Sequence, residues 1–194
     1  MRSLLLMRVY EYEDYDDYVE AQTWTNKEKL TWRYVKPHTI KRICEHKPYA
    51  AFIICHGTRN GTEQQYFKDN CPNAYIIGTE ISETATQFPM TLHHDFTFPV
   101  EKWIGKADII YSNSFDHTID PEKTITTWRD QLNPQGKIFL EYSERSSRGH
   151  RQDPLDATNK EISSLIGDNG MIVEEIWRDG IQHGGVIFIC GMAK

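Results

Sequence analysis

The sequence has no apolar run approaching the roughly 18 residues that a membrane span requires, and its opening apolar patch, Met1 to Met7, passes directly into acidic residues. Neither a signal peptide nor a membrane anchor is expected. It lacks any excess of positive charge: 22 lysines and arginines stand against 28 acidic residues, a formal net charge of -6. Such a field gives a phosphate backbone no attraction, so nucleic acid is disfavoured as a partner. Cysteine is sparse, and Cys44, Cys55, Cys71 and Cys190 form no Cys-x-x-Cys pair, which removes the usual zinc and disulfide frameworks. Reduced thiols in a cytoplasmic setting are expected. Repeats and low-complexity segments are missing, and the one biased stretch is the acidic, tyrosine-rich Glu11 to Glu20.

What is present is a chain of 194 residues, 39% hydrophobic and 26% charged, enough for one sizeable core and far from the composition of disorder. The large side chains Tyr15, Tyr18, Val19, Trp24, Leu30, Trp32 and Tyr34 recur at helical steps up to Pro37, and a second short helix, His38 to Glu45, closes before Pro48. Residues 1–48 are therefore expected to form a helical segment packing on residues 49–194, a single domain overall.

After Pro48 short apolar runs alternate with amphipathic stretches. Strands are predicted at Ala50 to Cys55, Ala74 to Thr79, Thr91 to His94, Ala107 to Tyr111 and Lys137 to Tyr142, with helices at Gly61 to Asp69, Ser82 to Gln87 and Pro121 to Leu132. Strands without polar alternation, separated by helices, indicate a parallel sheet covered on both faces. Asp120 is a natural N-cap before Pro121, and Asn133-Pro134-Gln135-Gly136 turns the chain out of that helix. A last helix, Asp156 to Ile166, precedes strands Met171 to Trp177 and Val186 to Cys190. Their eight-residue connection is too short for a parallel crossover, so they pair antiparallel if they are neighbours. The expected fold is α/β, a doubly wound, mostly parallel seven-stranded sheet with an antiparallel strand at its C-terminal edge.

In such a sheet ligands bind outside the carboxyl ends of the strands. The first strand is followed by His56-Gly57-Thr58-Arg59-Asn60-Gly61-Thr62-Glu63, a glycine-bearing turn that leads into a helix N-terminus. The second ends at Glu80-Ile81, with Glu80 placed 23 positions beyond Gly57, a spacing that suits a carboxylate on a ribose diol. Asp95 and Phe96 follow the third run, and Asn113, Ser114, Phe115, Asp116 and His117 the fourth. Together they describe a nucleoside pocket: Glu80 for the ribose, Asp95 and Phe96 for the base, the glycine turn under the tail. His93 and His94 are adjacent on a strand and point to opposite faces, and no metal-ligating set is expected.

The segment Ala51 to Tyr142 resembles the core of class I S-adenosylmethionine-dependent methyltransferases. It is most similar to a branch whose first motif, Cys-x-Gly-x-Arg-x-Gly-x-Glu, is matched by Cys55, Gly57, Arg59, Gly61 and Glu63. That branch's Tyr-Ser-Asn-x-x-Asp-His core is matched by Tyr111, Ser112, Asn113, Asp116 and His117, and Leu132-Asn133-Pro134-Gln135-Gly136 resembles the superfamily's turn before strand five. The resemblance implies a Rossmann-like fold with a reversed seventh strand and S-adenosylmethionine as cofactor, held by His56, Gly57, Thr58, Arg59, Gly61, Glu63, Glu80, Ile81, Asp95, Phe96 and Asn113. The superfamily's usual first motif opens with an acid where this chain has Cys55, and has glycine where it has Arg59. Arg59 either pairs with a carboxylate, the cofactor's own or that of Glu63, or only staples the first helix.

Methyl transfer is an in-line displacement at an activated sulfonium, for which a protein supplies alignment, a dry site and, for a protic nucleophile, a base. His117, oriented by Asp116, is the candidate base; the alternative is that both are structural. The sequence Asn113-Ser114-Phe115-Asp116 lacks the Asn-Pro-Pro-aromatic motif of amino-group methyltransferases, which leaves a small-molecule or sugar-like acceptor. The cationic run Arg145 to Arg151 is a candidate for an anionic group on it. Two rival readings are a nicotinamide-dependent oxidoreductase, disfavoured because GxGxxG and a Tyr-x-x-x-Lys pair are missing, and a domain that keeps the fold as a binding module without turnover. Oligomeric state is left open.

Overall fold

A computed structural model describes residues 7–144, 149–178 and 185–193. At its centre is a seven-stranded sheet made of β2 (Phe52–His56), β3 (Tyr75–Glu80), β4 (Thr91–His93), β5 (Ala107–Ser112), β6 (Leu132–Tyr142), β8 (Met171–Trp177) and β9 (Val186–Met192), in the order β4-β3-β2-β5-β6-β9-β8. β2 through β6 are mutually parallel, and β9 runs antiparallel to both β6 and β8. The reversed strand is thus one place in from the edge, not at the edge as the sequence reading put it. Helix α5 (Asn159–Asp168) carries the chain from β6 to β8, which lie parallel with a gap one strand wide. The last strand fills that gap by returning the other way. Residues 179–184 of its connection lie outside the described residues, as do 145–148 of the cationic run.

Alternation along β2 explains the two layers. Ile53 and Cys55 join Ile40, Ile43 and Phe67 from helices α2 (Pro37–His46) and α3 (Thr62–Asn70) on one face of the sheet. Ile54 joins Ile125, Trp128, Ile162 and Leu165 from α4 (Pro121–Gln131) and α5 on the other. All of these are at most 2% exposed, and each such side chain contributes about 1.5 to 3 kcal/mol by leaving water. Asp120 caps α4 as expected, its carboxylate accepting from Lys123 N at 3.0 Å. β6 begins five residues earlier than predicted, because Asn133 to Gly136 continues beside β5 through a shift of register.

Helix α1 (Tyr15–Glu28) stops well before Tyr34. The reason is tertiary: Asn60 Nδ2 donates to Leu30 O at 2.8 Å and to Trp32 O at 3.0 Å, drawing residues 30–34 out of the helix and onto the loop after β2. A two-stranded ladder, β1 (Arg8–Val9) with β7 (Leu155–Asp156), ties the N-terminal segment to the chain beyond β6. α1 is thereby laid across the carboxyl ends of the parallel strands.

Candidate functional site

The loop after β2 is shaped by left-handed residues, Gly57 at φ +72°, Arg59 at +43° and Gly61 at +73°. Gly57 is needed for a second reason: a Cβ there would lie 2.6 Å from Ser114 Cβ. The absent side chain lets this loop meet the one after β5, where Ser114 Oγ donates to Gly57 O at 2.9 Å. Gly57 N and Thr58 N both donate to Thr79 O, and Arg59 N to Glu80 Oε2 at 3.0 Å. Glu80 Oε1 accepts from Ser82 N at 2.9 Å. One buried carboxylate therefore holds the loops after β2 and β3 together, and burial raises its pKa. Thr58 is turned inward, its Oγ1 accepting from Gln64 Nε2 at 3.0 Å. Ile81 offers its carbonyl to His93 Nε2 at 2.9 Å.

Two connected hollows result, sharing Gly57, Arg59, Ser114 and His117. The inner is a crevice of about 40 Å³, where Tyr18, Gln22, Thr25 and Asn26 of α1 face Glu80, Ile81, Asp95 and Phe96. Asp95 Oδ1 accepts from Thr97 N at 2.8 Å, and its Oδ2 from the Tyr15 hydroxyl at 3.0 Å. The outer is a cleft of about 830 Å³. One wall carries Trp24, Lys29, Trp32, Arg33 and Tyr34; the other carries Glu63, Asn113, Asp116, His117, Glu141 and Asp153. Trp24 and Trp32 are more than half exposed, and the Arg59 guanidinium lies over the Tyr34 ring at 5.1 Å.

Glu63 stands in the first turn of α3, 7% exposed. Its Oε1 has only a 3.5 Å contact with Asn113 Nδ2, and its Oε2 has no hydrogen-bond partner among the described residues. Burial pushes its pKa up to about 7, the effect moderated by the Arg59 charge. Arg59 forms no ion pair within 4 Å with Glu63 or any other described carboxylate; the Tyr34 ring is what holds it. His117 Nδ1 lies 2.8 Å from Gln22 Oε1, while its Nε2 faces Asp116 Oδ1 at 3.9 Å and Asp153 Oδ1 at 3.7 Å. Burial raises the Asp116 pKa, opposed by the neighbouring His117.

Gly57, Arg59, Gly61, Glu63, Glu80, Ile81, Asp95, Phe96, Asn113, Asp116 and His117 are brought to one edge of the sheet. The His56 side chain is not there. It is 1% exposed, stacked on Trp128 at 4.9 Å between ring centroids, and bonded to Thr79 Oγ1 and Gln131 Oε1, both at 2.9 Å. Desolvation lowers its pKa to about 3. It is a satisfied core histidine, because the strand alternation that points Cys55 to one face points His56 to the other. Of the cationic run, Arg151 is occupied elsewhere, paired with Asp17 at 2.5 Å. Gln22 and Asp153 also reach the site. Nothing in their local pattern marks them, since α1 and the β6–β7 connection meet the site only in three dimensions.

No protein-family model matches the chain, and no curated protein matches it. Solved structures do. A Burkholderia thailandensis 1,6-didemethyltoxoflavin-N1-methyltransferase with bound S-adenosylhomocysteine superimposes with a TM-score of 0.74 at 12% identity, covering 95% of this chain and 92% of that one. The Synechocystis magnesium protoporphyrin IX methyltransferase with bound SAM gives 0.64 at 11% identity over 95% and 100%. A TehB-like SAM-dependent methyltransferase from Corynebacterium glutamicum gives 0.62 at 13% over 91% and 98%. The fold is the Rossmann-like methyltransferase fold.

Proposed function

We propose that the chain is an S-adenosylmethionine-dependent methyltransferase acting on a small-molecule acceptor. The observation that carries this reading is one line of carboxylates along one channel, from Asp95 and Glu80 in the crevice to the partnerless Oε2 of Glu63 in the cleft. In that order they suit the amino group of an adenine, a ribose diol and the α-ammonium of a methionine tail. Glu63 takes the part of the acid that Cys55, fully buried in the core, cannot play. Arg59, which lines both hollows, is placed for the tail's carboxylate. An adenosyl group needs more room than the crevice's volume of about 40 Å³, so its entry requires the Tyr15 hydroxyl to leave Asp95.

Bound there, the cofactor supplies an activated methyl group. The protein's residues do the rest. Gly57 and Ser114 hold the loops after β2 and β5 together at the point where the two hollows meet. Trp24 and Trp32 offer flat faces to a planar acceptor, and Lys29 and Arg33 offer charge to an anionic substituent on it. His117 presents Nε2 to the cleft, positioned to accept a proton from a protic nucleophile.

Calorimetry and thermal shift with S-adenosylhomocysteine and with NAD test the reading. The former is expected to bind and raise Tm, and the latter to do neither. Stabilisation by NAD alone would turn the assignment to an oxidoreductase. Binding of S-adenosylhomocysteine without turnover of any acceptor would leave a cofactor-binding module.

A further inference from the structure

Asp116, His117 and Asp153 bring ligand atoms to within 4.8 Å of one another on the acceptor side of the cleft. Three features set the group apart from an ordinary ion pair. The first is distance. His117 Nε2 stands 3.7 Å from Asp153 Oδ1 and 3.9 Å from Asp116 Oδ1, beyond hydrogen-bond reach of either carboxylate. Donor atoms that share one ion at about 2.1 Å stand roughly 3 to 4 Å apart.

The second is the tautomer. Gln22 Nε2 is directed at Tyr12 Oη and Gln152 O, both at 3.4 Å, which turns its Oε1 toward His117 Nδ1. An oxygen there can only accept, so Nδ1 carries a hydrogen, and in the neutral ring it is Nε2 that faces the two carboxylates with its lone pair open to a metal ion. Those carboxylates are supported in the same outward way. His150 Nδ1 accepts from Gln152 N and Asp153 N at 3.2 and 3.3 Å, leaving its Nε2 hydrogen for Asp153 Oδ2 at 3.3 Å. Ligand groups of metal sites are oriented by partners of this kind behind them.

The third is what Asp116 lacks. Its carboxylate is largely buried, and among the described residues no other residue donates a hydrogen bond to it and no lysine or arginine lies within 4 Å. A lone pair and two carboxylates converging on one point, in a partly desolvated cleft, repel one another unless a cation lies between them.

We propose that Asp116, His117 and Asp153 form a divalent-cation site, with one nitrogen and two oxygen ligands and the remaining positions open to water and acceptor. Imidazole with carboxylates suits Mn²⁺ or Zn²⁺ better than Ca²⁺. The role of the ion there rests on the methyl-transfer reading: it binds an acceptor hydroxyl and lowers its pKa. The proton passes to bulk water, the oxygen bonds to the methyl carbon, and the carbon–sulfur bond breaks with its electrons on sulfur. His117 is then a ligand, and the cation replaces it in generating the nucleophile.

The test uses the full chain, stripped with EDTA and dialysed, titrated with Mn²⁺ and followed by the electron paramagnetic resonance of the free ion, with Zn²⁺ and Mg²⁺ as competitors. One Mn²⁺ per chain is expected, displaced by Zn²⁺, with affinity falling about tenfold or more in Asp153→Asn and in Asp116→Asn. Calorimetry with S-adenosylhomocysteine on the same samples reports the cofactor reading separately and is expected to change little in either variant. No saturable Mn²⁺ or Zn²⁺ binding up to about millimolar, or binding that both folded variants retain, overturns the site while leaving the cofactor reading intact. Mn²⁺ binding without S-adenosylhomocysteine binding keeps the site and removes its assigned role.

Discussion

The Tyr15 hydroxyl donates to Asp95 Oδ2 at 3.0 Å, so a residue of the N-terminal helix occupies the acceptor that the nucleoside reading assigns to an adenine amino group. Burial and the Asp95 charge raise the Tyr15 pKa, so the hydroxyl keeps its proton and remains a donor. A ligand entering the crevice must displace it. Tyr15→Phe removes the competitor and keeps the ring that packs edge-on to Phe98. S-adenosylhomocysteine is expected to bind it about fivefold more tightly, the equivalent of about one hydrogen bond no longer broken. Unchanged or weaker binding by calorimetry would mean that Asp95 does not receive the base.

Glu80 joins the loops after β2 and β3 through the amides of Arg59 and Ser82. Glu80→Ala is expected to weaken cofactor binding by about 1 to 3 kcal/mol. It should also lower stability by a similar amount, since two buried amides lose their acceptor. Glu80→Gln, which keeps one acceptor oxygen for the two amides, separates the two effects: about half of the lost stability should return while affinity stays low. Full recovery of affinity in Glu80→Gln would remove the charge of Glu80 from recognition.

The strands that frame the site were legible because they are buried on both faces, and continuous apolar runs such as Ile53 to Cys55 and Ile109 to Tyr111 have no other home. The cap at Asp120 acts through short-range chemistry of the kind local sequence displays. What escaped was decided at long range. Asn60 ends α1 from another loop, and residues 8–9 pair with 155–156 in a ladder too short to show any period. His56 closes β2 and His117 follows β5, and the two look alike as letters. One packs on Trp128 and the other faces a cleft, a difference set by strand alternation and by how far the chain has run beyond its last ladder bond.

His56 carries a pH dependence of its own. Its folded pKa, about 3, lies below the 6.5 of an exposed histidine. The unfolded chain therefore takes up a proton near pH 6.5 and the folded one does not. This residue's contribution to stability is complete above 6.5 and is lost as the pH falls toward 3, by about 2 to 3 kcal/mol at pH 4.5. His56→Gln cannot protonate. Denaturation at several pH values is expected to show a variant weaker at pH 7.5, for want of the Trp128 stack, but with a shallower decline from 6.5 to 4.5. Parallel declines would place the acid sensitivity elsewhere.

Glu63 works in the opposite sense, which makes it the sharper test of the site. Its folded pKa, about 7, lies above the ordinary 4.5, so the folded state holds the proton more tightly than the unfolded chain. The stability this confers is complete below 4.5 and is lost as the pH rises through 7, leaving a buried carboxylate that costs about 3 kcal/mol at pH 8. Glu63→Gln is therefore expected to raise Tm at pH 8 and to change it little at pH 4.5. If the ionised carboxylate receives the ammonium of the cofactor tail, the same variant binds S-adenosylhomocysteine about tenfold or more weakly at pH 8, the scale of one charge-assisted hydrogen bond. The wild type should in turn lose affinity between pH 8 and pH 6 as Glu63 takes up its proton. A residue kept only for packing would gain stability on substitution and lose no affinity, so a stable Glu63→Gln that still binds at full strength would take Glu63 out of the site.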